Sequence, residues 1–200
     1  MILLLFFYSI ILGFWLVFGR IEQVMNAYCQ LAKKAVESFV EKGIIIKTPG
    51  DLPEEILRQK AGVFVTIKKQ GALRGCMGTA AACCQNIAQE IIENAIAAAS
   101  RDYRFSPITK QELAELDYEV SVLGGLEPVK NISQLNPKKY GILIRTASPP
   151  FKSGLLLPDL KGIDTTDQQL TIACRKAGIN PQHEQISIYR FEVKKRLDPV

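Results

Sequence analysis

Hydrophobic positions in the first half of the chain switch between helical and strand spacing. From Ile21 to Lys42 apolar residues recur every three or four positions, which predicts an amphipathic helix. Val63 to Ile67 and Leu73 to Thr79 are apolar runs separated by Gln70-Gly71, which predicts a β-hairpin. Apolar and alanine-rich positions from Cys84 to Arg101 then predict a second long helix.

The second half adds strand patterns and further helix signals. Thr109 and Glu112 form a capping-box pair ahead of a short helix, and Asp164-Thr165-Thr166 caps a helix that runs to about Ala177. Strand patterning covers Tyr118–Val122, Gly141–Arg145, Gly154–Leu157 and Ile186–Val193. Because hairpin signals outnumber βαβ units, this order predicts an α+β fold, with a mixed or antiparallel sheet and flanking helices.

Composition places the 200 residues among globular chains, with 48% hydrophobic and 22% charged residues. The net charge of +5 is scattered and not interleaved with aromatics, so no nucleic-acid partner is predicted. An odd count of five cysteines at irregular spacing does not form a disulfide framework and suggests a reducing compartment. No second Cys/His pair stands at ligand spacing, so no metal site is predicted.

The amino-terminal segment, residues 1–19, has a separate character. Ile2 to Phe18 is an apolar run interrupted only by Ser9 and Gly13, at the short end of what spans a bilayer. It lacks the basic start and the cleavage pattern of a secretory signal. Either it anchors the chain to the inner face of the membrane, or Met25 is the true start. Both alternatives predict a cytoplasmic domain over residues 20–200.

The clearest candidate for chemistry is a cysteine between glycines. Gly75 and Gly78 leave the backbone around Cys76 uncrowded, so a ligand could approach the thiol closely. Arg74 shares a strand face with Cys76, which predicts guanidinium and thiol side by side and favours the thiolate. The single histidine, His183, offers a second partner for the thiol. The alternative is that the cysteine is a small packing residue and the glycines serve backbone packing.

Two polar groups beyond this run are further candidates. Arg101 and Arg104 follow the long helix and suit a clamp for a carboxylate or phosphate. Alternatively, Asp102 holds both arginines at the carboxyl end of the helix. Glu119 and Ser121 lie on the polar face of a strand. If that face lines a pocket, Glu119 is a candidate general base or arginine partner, and Ser121 a candidate ligand contact.

Several segments of the sequence together form a recognisable pattern. They are Gly71–Thr79, Asn94–Asp102, Glu119–Leu123, Ser153–Leu160 and Tyr189–Phe191. This pattern resembles the AMMECR-type domain family, over roughly residues 26 to 195. Within the family, the chain is most similar to the prokaryotic branch called protein A of the AmmeMemoRadiSam system. The resemblance implies an α+β fold with a larger and a smaller lobe, and no established activity or known cofactor. It maps the family's suspected site, the Arg-Gly-Cys (RGC) segment, onto Arg74, Gly75, Cys76 and Gly78.

The resemblance also implies partners. These are a Memo-type protein, which is similar to extradiol dioxygenases, and a radical S-adenosylmethionine protein. The combined expectation is a thiol-dependent modifying enzyme with Cys76 as reactive centre and Arg74 as activator. Arg101 and Arg104 would clamp a small anionic ligand, and Glu119 would act as base. The alternative is a non-catalytic binding subunit that docks on those partners.

Overall fold

The computed structural model describes residues 27–197. They form two compact units. The first comprises 27–120 and 195–197, and the second comprises Ser121–Lys194. The predicted anchor, the alternative start at Met25 and the boundary at residue 20 lie outside the described residues. Within 27–197, no helix combines the length and apolar character needed to cross a membrane.

Helices and strands are interspersed along the chain. The helices are α1 (27–42), α2 (Glu54–Arg58), α3 (Ile87–Ser100) and α4 (Thr166–Ala177), with 3-10 turns at Lys110–Glu115 and Ile132–Gln134. The strands are β1 (Val63–Lys69), β2 (Ala72–Gly78), β3 (Leu116–Leu123), β4 (Glu127–Pro128), β5 (Gly141–Thr146), β6 (Ser153–Leu156), β7 (Ile186–Phe191) and β8 (Val193–Leu197).

The strands assemble into two four-stranded sheets. Sheet one has the order β2-β1-β3-β8, and sheet two has the order β4-β7-β5-β6. The β1–β2 pair is antiparallel, as are the β5–β6, β5–β7 and β4–β7 pairs. These sheets, with helices beside them, confirm the predicted α+β fold.

The predicted hairpin is β1–β2, and its turn has the expected chemistry. Gln70 and Gly71 both have positive φ, 52° and 76°, as a tight two-residue hairpin turn requires. Ile67 pairs with Gly75 and Lys68 pairs with Leu73, so the register shifts within the hairpin. The intervening Arg74 is therefore an extra residue in β2, which is the arrangement of a β-bulge.

The hairpin packs one face on α3. Val63, Val65 and Ile67 are fully buried, and they alternate with partly exposed residues on the other face of β1. We call this opposite side the polar face of sheet one. It carries Thr66 and Lys68 on β1, and Cys76 on β2, directly across from Thr66. The hairpin thus presents the thiol away from the core.

The second unit has its own apolar core between sheet two and α4. Ile142 and Ile144 of β5 pack with Ala173 and Cys174 of the helix. Thr165 caps α4, accepting a hydrogen bond from the amide of Gln168, and Gly178 ends it at a φ of 64°. Both ends of this helix agree with the sequence prediction.

Three predictions about helices and strands were wrong. Helix α3 begins at Ile87 rather than Cys84, because the amides of Cys83 and Cys84 donate to a side chain, Glu90, instead of entering the helix. The capping box at Thr109 starts a 3-10 turn and not an α-helix. The last predicted strand is divided at Glu192 into β7 and β8.

Candidate functional site

The thiol of Cys76 is half-buried on the polar face of sheet one. Its Sγ lies 3.3 Å from Oγ1 of Thr66, and either group can be the donor. The two residues are cross-strand partners, so the antiparallel register brings hydroxyl and thiol together. A hydroxyl at this distance is able to donate to a thiolate.

The backbone of Cys76 is held by two side chains from the loop after α3. Its N–H donates to Oδ2 of Asp102 at 2.9 Å, and its carbonyl accepts from Nη2 of Arg104 at 3.4 Å. Arg104 also donates to both carboxylate oxygens of Asp102, at 2.9 and 2.7 Å. We call Asp102 and Arg104 the clasp. Because β2 is the end strand of sheet one, the clasp partners backbone groups on its outer edge.

The clasp is a strongly coupled ion pair. The side chain of Asp102 is only 2% exposed, whereas that of Arg104 is 43% exposed. Hydrogen bonds from Arg104 lower the pKa of Asp102 to about 2, against the opposing effect of burial. The hydrogen bond to Asp102 raises the pKa of Arg104, and the negative charge of a Cys76 thiolate raises it further. A Cys76 thiolate would therefore lie near both charges of the clasp, the guanidinium of Arg104 and the carboxylate of Asp102.

Arg74, the residue expected to activate the thiol, is directed elsewhere. Its Nε and Nη2 donate to the carboxylate of Glu112 at 2.8 and 3.1 Å, and Nη1 donates to the carbonyl of Ser106 at 2.9 Å. This pairing lowers the pKa of Glu112 to about 2. The expected side-by-side placement assumed strict strand alternation, which the bulge at Arg74 breaks. The activating role of Arg74 stays a prediction, and Arg104 is the arginine that contacts Cys76.

Both glycines of the run are explained by close packing. A Cβ at Gly75 would overlap the carbonyl oxygen of Ala98 in α3. A Cβ at Gly78 would overlap the ring of Phe64 and lie 2.6 Å from the carbonyl oxygen of Val63. The interpretation in which the glycines serve backbone packing accounts for both positions. Their ligand-binding role stays a prediction.

The remaining candidates occupy different surroundings. Glu119 accepts from Nζ of Lys68 at 3.0 Å, which joins it to the polar face of sheet one. Ser121 is buried in the second unit, and its Oγ has no hydrogen-bond partner among the described residues. Arg101 lies 3.9 Å from Glu93 with most of its side chain exposed. His183 belongs to the second unit, and Cys76 to the first.

The sequence did not identify Thr66 or Glu112 as part of the surroundings of Cys76 and Arg74. Thr66 carried no signal of its own, although the hairpin register fixes it opposite Cys76. Glu112 was identified only as a capping residue, and it does accept from the amide of Thr109 at 3.0 Å. Its second role with Arg74 joins positions 38 residues apart. Within 27–197, no group of three His, Cys, Asp or Glu side chains is arranged to hold a metal ion.

Known proteins share both the sequence and the fold. A protein of Thermotoga maritima is 43% identical over 171 residues, which is 85% of this chain and 97% of that protein. A protein of Clostridium acetobutylicum is 41% identical over 178 residues, and this chain spans only 37% of its length. The crystal structure of uncharacterized protein PH0010 from Pyrococcus horikoshii is 30% identical, with a TM-score of 0.76 over 86% of this chain and 90% of that one.

A family model gives the assignment directly. The model for AMMECR1 matches residues 29–196, almost the whole described chain. It covers every candidate residue of the clasp and of β2. The match agrees with the resemblance at the level of the family, while the specific branch stays a prediction. The chain belongs to the AMMECR1 family.

Proposed function

We propose that this AMMECR1-family chain is a thiol-dependent modifying enzyme with Cys76 as its nucleophile. The observation that carries the proposal is the clasp. It fixes both backbone groups of Cys76 and brings a guanidinium charge to the thiol-bearing residue. A nucleophilic cysteine needs a fixed position and a stabilised thiolate. The hydrogen bonds of the clasp support the first requirement, and in the proposal the guanidinium charge of Arg104 meets the second.

The proposed chemical step is a nucleophilic displacement in which the Cys76 thiol first loses its proton. Sγ of Cys76 forms a bond to an electrophilic carbon of the substrate, and the leaving group departs with the bonding electron pair. The leaving group takes up the proton that the thiol released. Glu119 is the candidate base, and the hydroxyl of Thr66 steadies the thiolate by donation from 3.3 Å.

The arginines around the site differ in their availability to bind an anionic substrate. Arg74 and Arg104 are each engaged by a carboxylate, Glu112 and Asp102 respectively. Arg101, with a side chain 61% exposed, is the arginine of this loop with most freedom to meet an anionic substrate. In the proposed function, Arg101 therefore binds the anionic substrate, and Arg104 positions the backbone of Cys76.

The partners in the proposal come from the sequence resemblance alone. They are the radical S-adenosylmethionine protein and the Memo-type protein, which would supply or consume the modified substrate. A second candidate function is a non-catalytic subunit that docks on these proteins. It is favoured by the packing role of Gly75 and Gly78 and by the pairing of Arg74 with Glu112, which make this region a structural element.

Cysteine alkylation across a pH series separates the two functions. The full chain is treated briefly with iodoacetamide from pH 5 to 10, and each cysteine is quantified by mass spectrometry. Cys84 is the internal reference, because burial raises its pKa. Cys76 is expected to react at lower pH than Cys84, and Arg104→Gln is expected to raise the inflection by about 1 pH unit.

Arg74→Gln is the matched control, since it also removes an arginine paired with a carboxylate beside β2. It is expected to leave the Cys76 profile close to that of the wild-type chain, and thermal melts verify that both variants fold. If Cys76 instead follows the profile of Cys84 and ignores Arg104→Gln, the enzyme proposal fails and the docking subunit takes its place.

A further inference from the structure

A pair of adjacent thiols lies outside the site just described. Cys83 and Cys84 occupy the loop between β2 and α3. The side chain of Cys83 is exposed, and that of Cys84 is half-buried. Neither residue has a part in the chemistry proposed for Cys76. Solvent therefore reaches the thiol of Cys83 more easily than that of Cys84.

A buried carboxylate holds this pair in place. Glu90 of α3 is only 1% exposed. Its Oε1 accepts the backbone N–H of Cys83 and, at 2.7 Å, that of Cys84. Its Oε2 accepts from Oγ1 of Thr79 at 2.8 Å and from Nδ2 of Asn94 at 3.2 Å. One side chain thus holds Thr79, at the start of the loop, and the backbone of both cysteines.

The two thiols differ in character because of this carboxylate. Burial raises the pKa of Cys84, and the negative charge of Glu90 raises it further. The Glu90 carboxylate beside the Cys84 thiol thus favours its protonated form. The side chain of Cys83 is exposed to solvent, and its Sγ donates to the carbonyl of Ala81 at 3.6 Å. An incoming reagent therefore reaches Cys83 first, and Cys84 responds second.

We propose that Cys83 and Cys84 form a thiol–disulfide exchange site for low-molecular-weight disulfides. The exposed thiolate of Cys83 attacks one sulfur of the reagent, RSSR, whose S–S bond breaks to release RS⁻, which takes up a proton. Cys83 then carries a mixed disulfide. Cys84 loses its proton, attacks Sγ of Cys83, and releases the second thiol as RSH. Two electrons pass from the cysteine pair to the reagent, and a Cys83–Cys84 disulfide remains.

The geometry makes this disulfide easy to reverse. Consecutive Cα atoms are about 3.8 Å apart across a trans peptide, below the range of about 4.4 to 6.8 Å that unstrained disulfides span. A strained disulfide is readily reduced, as regulatory and exchange disulfides are. The pair is therefore expected to pass between its oxidised and reduced forms with the thiol–disulfide ratio of its surroundings.

Oxidation of the two cysteines is also expected to disturb the hydrogen bonds that the loop donates to Glu90. The N–H of the Cys83–Cys84 peptide donates to Glu90, and closing a ring around this peptide requires its backbone to rotate. A rotation that weakens this hydrogen bond to buried Glu90 is expected to destabilise the fold. Thr79, at the start of this loop, is bonded through its N–H to Val63 at 3.0 Å and follows β2 directly. The disturbance thus adjoins the strand that bears Cys76.

The test uses the reduced full chain and oxidised glutathione as probe, with peptide mapping at a series of glutathione disulfide-to-thiol ratios. The wild-type chain is expected to form the Cys83–Cys84 disulfide, to lose about 5 °C in Tm, and to recover on return to reduced glutathione. Cys84→Ser is expected to stop at a glutathione adduct on Cys83. Cys83→Ser is expected to leave Cys84 as a thiol.

Cys76→Ser is the control that leaves the pair intact, and it is expected to oxidise at positions 83 and 84 as the wild-type chain does. The proposal is overturned if the Cys84→Ser chain takes no glutathione at Cys83. It is equally overturned if Cys83→Ser still gives an oxidised Cys84, or if the wild-type disulfide resists reduced glutathione.

Discussion

Two buried carboxylates organise the first unit by different means. Asp102 is matched with a cation, because Arg104 donates to both of its oxygens. Glu90 is equally buried, but its hydrogen bonds come from neutral donors. These are the amides of Cys83 and Cys84, the hydroxyl of Thr79 and the side-chain amide of Asn94.

The surroundings of Asp102 and of Glu90 respond differently when the carboxylate is replaced. A guanidinium is donor-only, so the partner of Arg104 must supply acceptors. A hydroxyl can donate or accept, and a side-chain amide can rotate to present its oxygen. The surroundings of Glu90 can therefore adapt to a changed side chain, whereas those of Asp102 cannot. The hydrogen bonds of the clasp cannot be rearranged, whereas Thr79 and Asn94 beside Glu90 can reorient theirs.

The largest expected effect comes from neutralising each carboxylate in turn. Asp102→Asn places an amide NH₂ against donors and leaves Arg104 without its counter-charge, so it should lower the free energy of unfolding by about 2 to 3 kcal/mol. Glu90→Gln should cost about 1 kcal/mol, because Thr79 and Asn94 can reorient. Urea denaturation measures both variants, and equal costs would show that charge is not what separates the two sites.

Acid titration of stability should show the next largest effect. The folded-state pKa of Asp102 is about 2, below its ordinary value of 3.8. Its contribution is therefore complete above the unfolded pKa, and is lost as the pH falls from about 5 to 2, amounting to about 2 kcal/mol. The stability gap between the wild-type chain and Asp102→Asn should narrow by that amount over this range.

The control for acid titration is Glu54→Gln, which alters a carboxylate in an exposed surface pair with Arg58. Its stability gap should stay within about 0.5 kcal/mol of zero at every pH. Glu112, whose pKa is also about 2, remains in both chains and gives them a shared acid sensitivity. A gap for Asp102→Asn that is constant from pH 6 to 2 would contradict the assignment.

The smallest expected effect is at the hydroxyl of Thr79. Thr79→Val keeps the shape of the side chain but removes the donor to Glu90, and should cost about 1 kcal/mol. Thr79→Ser keeps the hydroxyl and should recover most of that loss. Thermal melts of the two variants measure the difference. If Val and Ser cost the same, the hydroxyl has no share in holding the carboxylate.

Local rules predicted the elements that depend on neighbouring residues. The Gln70-Gly71 turn has the positive φ angles that a two-residue hairpin needs, and Gly178 adopts the left-handed conformation that ends α4. The capping sequence at Thr165 begins that helix as expected. Each of these features is decided within a few residues, so one stretch of sequence contains all the information required.

Features that join distant residues were beyond such rules. The bond from Cys76 to Asp102 spans 26 positions, and that from Arg74 to Glu112 spans 38. Alternation along β2 placed the Arg74 guanidinium beside the thiol, but a one-residue bulge redirected it, and no local signal marks that bulge. The sequence thus identified Cys76 as a candidate, while the contact of Arg104 rather than Arg74 with this residue required the structure.

The clasp has one more consequence, for the behaviour of the chain at high concentration. An end strand with unoccupied N–H and C=O groups is a template on which a second molecule can add its own strand. At Cys76 both groups of β2 are already occupied by Asp102 and Arg104. The side chains that position the thiol thereby also interrupt the edge of the sheet, and so oppose its growth from one molecule into the next.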